Sequence, residues 1–163
     1  MRLAIISDTH LPRGARRLPA ACLERLRTAD AILHAGDFVA ASALDELGAL
    51  EPPLIAVHGN VDDADVRRRL PERRVFDAAG TPIGIVHDAG PATRRVERLR
   101  AAFPECAAVV FGHSHIPLLA SDAAGFQIFN PGSPTDRRRQ PRHTMGVAEA
   151  DGGAVHFELV TLD

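Results

Sequence analysis

The sequence predicts a mixed α/β protein in which two β-sheets are flanked by helices within one domain, residues 1–163. Three observations predict it. Over the first 70 residues, short apolar runs alternate with segments of helical spacing, the pattern of βα units in a mostly parallel sheet. From residue 73 onward, strands come in turn-linked pairs, which adds an antiparallel contribution. The length of 163 residues suits one compact domain, and no linker, repeat or low-complexity block divides it.

Leu3-Ala4-Ile5-Ile6 reads as a buried strand that delivers the polar stretch Ser7-Asp8-Thr9-His10 at its C-terminal end. Leu18, Cys22, Leu23 and Leu26 recur at helical spacing over 18–28. Ala31-Ile32-Leu33 is a second strand, followed by the loop His34-Ala35-Gly36-Asp37. A helix near 41–50 carries Leu44, Leu47 and Leu50 and stops at Pro52-Pro53. Residues 54–57 form a third strand ending in His58-Gly59-Asn60, after which Asp62 or Asp63 caps a short helix toward Leu70. Strands at 73–77 and 82–86 flank a turn centred on Gly80. A helix over about 92–102 puts Val96, Leu99 and Phe103 on one side. Val109-Val110-Phe111 is a strand that empties into Gly112-His113-Ser114-His115. Strands at 116–120 and 126–129 flank a turn at 122–125, and a final hairpin pairs 144–149 with 154–160 around Asp151-Gly152-Gly153.

Composition removes several chemistries. The chain has 19 Arg and no Lys, Tyr or Trp. It therefore has no P-loop lysine, no Schiff base, no lysine general base and no phenolic acid or nucleophile. The formal charge is −2, and arginine clusters are short, at 67–69, 73–74 and 137–139. Nucleic acid is not an expected partner of so balanced a chain. The cluster at 137–139 reads as a solvated face or a polar contact in a homo-oligomer. Cys22 and Cys106 form no CxxC and read as buried, inert thiols. No run approaches the roughly 20 apolar residues of a membrane span, and the N-terminal apolar run is too short for a signal peptide. A soluble, cytoplasmic protein without a membrane partner is the expectation.

The sharpest pattern is polar residues at strand ends. Asp8 and His10 follow the first strand, Asp37 the second and Asn60 the third. His87 follows the strand at 82–86, and His113 and His115 follow that at 109–111. The i, i+2 spacing of each pair places both side chains on one side of an extended segment. Taken singly, Asp8 suits a cap, Asn60 a turn and His87 a hydrogen-bonded core position. Together they make two Asp, one Asn and four His, more than one ion takes and enough for two ions sharing a carboxylate. All donors are oxygen or imidazole nitrogen, which points to Mn, Fe, Ni or Zn rather than a thiolate site. Arg13, in the loop after His10, is a candidate phosphate contact.

These residues, in this order, resemble the calcineurin-like metallophosphoesterase superfamily, and most closely its small YfcE-like phosphodiesterase branch. The matching pieces are Asp8-Thr9-His10, Gly36-Asp37, Gly59-Asn60, His87 and Gly112-His113-Ser114-His115, with Asn130-Pro131-Gly132-Ser133 as a further loop. The resemblance implies a four-layer α/β/β/α sandwich carrying two divalent metal ions, Mn being the first expectation. It implies Asp8, His10 and His115 on one ion, Asn60, His87 and His113 on the other, and Asp37 bridging. The implied reaction is hydrolysis of a small phosphodiester by a hydroxide held between the ions, with Asp37 and Asn60 catalytic and Asn60 donating to a phosphate oxygen. A non-catalytic protein-binding scaffold of the same fold is an alternative, as is a phosphomonoesterase or nuclease.

The chain departs from larger members of the superfamily at Val61, where they place a histidine. It also extends the loop after His87 through Asp88-Ala89-Gly90. Asp88 is expected to cap its loop or face solvent. His34 is expected to be a buried structural residue. His58 lies near enough to the pattern to approach substrate, and His143 and His156 read as structural or exposed.

Overall fold

A computed structural model describes residues 1–163. The first sheet is built on parallel strands β1 (Arg2–Ile6), β2 (Ala31–His34) and β3 (Leu54–Ala56), with α1 (Ala20–Thr28) and α2 (Ala41–Gly48) as crossovers. After α3 (Ala64–Arg69) the chain enters the second sheet. It lays down β4 (Arg73–Asp77), β5 (Pro82–Val86), α4 (Arg95–Ala102), β6 (Ala108–Val110), β7 (Leu118–Ser121) and β8 (Gln127–Asn130). The hairpin β9 (Thr144–Asp151) and β10 (Ala154–Thr161) returns to the first sheet beside β1. The orders are β10-β9-β1-β2-β3 and β4-β5-β6-β8-β7.

Alternation along the strands builds four layers. Leu3 and Ile5 face the core between the sheets, where they join Ile83, Ile85, Val110, Phe129 and Phe157. Ala4 and Ile6 face the other way and pack with Cys22 and Leu26 of α1, Leu44 and Leu47 of α2, and Val66 of α3. The second sheet repeats this, with Val109 and Ile128 packing against Leu99 and Phe103 at α4. The layers are helices, sheet, sheet, helix. Both cysteines are buried in these cores, and burial pushes the Cys22 thiol up to about 12.

Several boundaries move from the expected ones. Asp63, not Asp62, caps α3, its Oδ1 accepting from Val66 N–H at 2.9 Å. The helix α4 starts at Arg95 rather than near 92, because Arg94 is left-handed at φ 52°. The strand expected over 116–120 lies at Leu118–Ser121, since Pro117 has no N–H to offer a ladder. The C-terminal ends of β1, β2, β3, β5 and β6 meet at one edge of the sandwich, and the seven polar residues lie there.

Candidate metal centre

All seven expected donors come together, in two groups. In the inner group, His115 Nε2 lies 3.4 Å from Asp8 Oδ1, and the His10 and His115 rings meet edge to face with centroids 5.0 Å apart. Asp8, His10 and His115 are all buried. In the outer group, Asn60 Oδ1 lies 3.0 Å from His87 Nε2 and 2.9 Å from His113 Nδ1. His87 is buried, whereas Asn60 and His113 are exposed. Asp37 joins the groups: its Oδ2 is 3.4 Å from His10 Nε2 and 3.3 Å from His87 Nε2. The ligand atoms of Asp8, His10 and His115 lie within 4.8 Å of one another, as do those of Asp8, Asp37 and His87.

The backbone that achieves this is not the extended segment that the i, i+2 spacing suggests. Asp8, His10, Asp37, His113 and His115 all have left-handed backbones, with φ between 48° and 68°. Such a conformation costs a non-glycine residue on the order of 1 kcal/mol and persists only where the surroundings impose it. Here they do. Asp8 N–H donates to Gly36 O at 2.9 Å and His10 N–H to Asp37 O at 3.0 Å, tying the first turn to the second. The Asp8 carboxylate accepts from Ser7 Oγ at 2.7 Å and from His113 N–H at 3.0 Å, tying it across the two sheets. Buried Asp62 accepts three main-chain N–H groups, from Asp37 (3.1 Å), Val39 (2.7 Å) and Gly59 (2.6 Å). Two glycines permit the closeness. A Cβ at Gly59 would stand 2.1 Å from Asp37 Oδ1, and one at Gly112 would stand 1.9 Å from Ser7 Oγ.

The donor atoms are set to receive a cation. His87 Nδ1 faces the Ala35 carbonyl at 2.7 Å and His115 Nδ1 faces the Asp136 carbonyl. Each proton is thereby held on Nδ1, leaving the Nε2 lone pair aimed into the cluster. Both ring nitrogens of His10, and Nε2 of His115, are buried without a hydrogen-bond partner. Buried polar atoms are almost always paired, so these nitrogens fit a ligand of the opposite character. Burial also lifts the Asp8 carboxyl to about 6 and drops His115 to about 4. Burial pushes Asp37 upward too, but the imidazoles of His10 and His87 beside its carboxylate outweigh it and hold the group below the ordinary carboxylate range. An oxygen and nitrogen donor set with these orphaned nitrogens suits divalent first-row metals.

Other residues fall around this centre. Arg13 is exposed in the loop after His10 and its side chain makes no hydrogen bond or ion pair. His34 is structural: it is buried, stacks on Phe38, and accepts from Gly36 N–H at 3.1 Å. Burial lowers its pKa to about 3. His58 is half-buried, with Nδ1 3.3 Å from the Gly59 carbonyl. Asp88 caps its own loop, accepting from Gly90 N–H at 2.7 Å, and is exposed. Sequence reasoning missed Asp62 as a brace and missed Asp136 altogether. Asp62 was legible only as one of two adjacent cap candidates. Asp136 follows the Asn130–Ser133 loop closely, and that proximity was its one signal.

The family model for the calcineurin-like phosphoesterase superfamily domain matches residues 1–153. The chain belongs to that superfamily. This calcineurin-like protein is 32% identical to a probable metallophosphoesterase of Methanothermobacter thermautotrophicus over 162 residues, covering 98% of this chain and 92% of the relative. It is similar to a Thermotoga maritima protein solved by solution NMR, with a TM-score of 0.76, 34% identity and 99% of each chain covered. Vps29 of Entamoeba histolytica, solved in complex with zinc, superposes with a TM-score of 0.78 over the whole of both chains at 21% identity, a likeness of fold.

Proposed function

We propose that this calcineurin-like phosphoesterase hydrolyses small phosphodiesters at a centre of two divalent metal ions. The observation that carries the reading is Asp37 Oδ2, which lies between a histidine of the inner group and one of the outer group. Asp8, His10 and His115 would hold one ion, Asn60, His87 and His113 the other, and Asp37 both. Such ions, when bound, lower the pKa of water toward neutrality and take up charge on phosphoryl oxygens.

The chain's own residues do the rest. Val61 N–H fixes Asp37 Oδ1 at 3.0 Å, which turns Oδ2 toward the histidines. Asn60 sets its Oδ1 beside His87 and His113 as a fellow ligand, which leaves its amide NH2 to donate to a phosphate oxygen at the exposed side. Val61 has no proton for a leaving group, which favours esters that depart readily as anions. Arg16 is engaged by Asp136, and Arg67 by the carbonyls of Asn60 and Asp62. Neither is ready for the second charge of a monoester, which favours the singly charged diester. Arg13, unpaired, is the arginine we assign to phosphate contact.

The test is turnover of an activated aryl phosphodiester with Mn2+, beside the matching monoester. Faster diester cleavage, abolished by a chelator, is expected. No turnover by protein carrying two ions per chain would contradict the proposal and favour a protein-binding scaffold.

A further inference from the structure

His10 and His115 leave different sheets, yet both turn Nδ1 toward the same residue. The main-chain oxygen of Asp136 accepts from His115 Nδ1 at 2.5 Å. The carboxylate Oδ2 of Asp136 stands 3.7 Å from His10 Nδ1. That carboxylate is held in turn by Arg16 Nη2 at 2.9 Å. The backbone of Asp136 is fixed as well: its N–H donates to Ser133 Oγ at 2.9 Å, and that hydroxyl donates to the Asp8 carbonyl at 2.8 Å. Beside it, Thr135 Oγ1 donates to the Thr9 carbonyl at 2.6 Å. Residues 133–136 are thus stitched to the back of the turn that carries Asp8 and His10.

We propose that Asp136, clamped by Arg16, is a positioning residue that orients both imidazoles of the inner metal site. The proposal rests on the metal reading above and deepens it. A neutral imidazole carries one N–H, and an acceptor facing Nδ1 keeps the proton there and frees Nε2 as a ligand. For His115 the acceptor is a carbonyl whose place is fixed by the Ser133 hydroxyl. For His10 it is a carboxylate just beyond hydrogen-bond reach, and it is the acidic group on the Nδ1 side of the ring. Arg16 has two effects. It balances the Asp136 charge beside the cluster, and it fixes the carboxylate so that it cannot swing in as an extra ligand.

The test uses metal-free full-length protein and reads metal binding rather than turnover. Wild type, Asp136→Asn, Asp136→Ala and Arg16→Gln are titrated with Co2+, following heat and the visible d–d absorption, and each metal-free variant is melted. Wild type is expected to bind two ions. Asp136→Asn should weaken one of the two steps by roughly 10–100-fold, the loss typical when a ligand's outer partner is removed, and alter the d–d band of that step alone. Arg16→Gln should weaken the same step less. The other step and the melting of the metal-free protein should not change, a selectivity that general structural damage would not produce. If Asp136→Ala fails to fold, the isosteric Asp136→Asn and the Arg16→Gln variant carry the test. Wild-type binding of two ions with both steps unchanged in folded Asp136→Asn would overturn this proposal alone, as would equal weakening of both steps. Wild-type protein that took up no ion would overturn the metal reading and this proposal with it.

Discussion

The inner and outer halves of the candidate metal centre are built to different standards. Asp8, His10 and His115 are buried and left-handed, and Asp8 is tied to His115 through Ser133 and Asp136. Asn60 and His113 are exposed and meet mainly through the Asn60 carbonyl oxygen. The inner half uses a carboxylate whose burial is costly without a cation, and burial raises its pKa to about 6. The outer half uses a neutral carboxamide. The lesson is one of division: the protein preorganises the half that faces its core and leaves the half that faces solvent open. Asp37 stands between them, its Oδ2 within 3.4 Å of a histidine of each half.

The largest expected effect therefore falls on Asp37. Asp37→Asn should lower kcat on an aryl phosphodiester by roughly 10³-fold, near the upper range for losing one organised charge-stabilising group, while urea unfolding shows a folded protein. Gly59→Ala should act on the same residue from behind, since the added Cβ would meet Asp37 Oδ1 at 2.1 Å. Activity near that of Asp37→Asn is expected, and wild-type kcat in this variant would show that Asp37 need not stay where it is.

A large stability effect should come from Asp62→Ala. It strands three main-chain N–H groups, each worth about 1–3 kcal/mol when buried without a partner. Because such losses do not add fully, about 3 kcal/mol by urea denaturation is expected, and a change near zero would remove Asp62 from the account.

His113→Ala separates the halves. It should cost the outer ion, read as one fewer equivalent by elemental analysis, yet leave folding within about 0.5 kcal/mol, as exposed substitutions do. Loss of both ions would mean that the inner half is not independent. The smallest effect belongs to Asp88→Ala. Asp88 is exposed and bonds its own loop, so metal content and kcat should both stay at wild-type values.

Much of this was legible in the sequence because chemistry-bearing residues follow apolar strands, and neighbouring strands share an end. The unbroken apolar run Leu3-Ala4-Ile5-Ile6 foretold a buried strand. What stayed hidden depends on acceptors brought together only by folding. Nothing in the string distinguishes Asp62, which binds three distant amides, from Asp63, which caps a helix next door. The left-handed turns are equally silent, because Asp and His occupy them where Gly or Asn would have given a signal. Asp136 reaches His10 across more than a hundred residues of chain, a separation that local pattern cannot bridge.

The central claim is that two ions share Asp37. Its most direct measurement is an anomalous difference map from a crystal soaked in Mn2+. The account predicts two peaks about 3.5–4 Å apart, one against Asp8, His10 and His115, one against Asn60, His87 and His113, with Asp37 touching both. A single peak, or two peaks with Asp37 bound to only one, would contradict it.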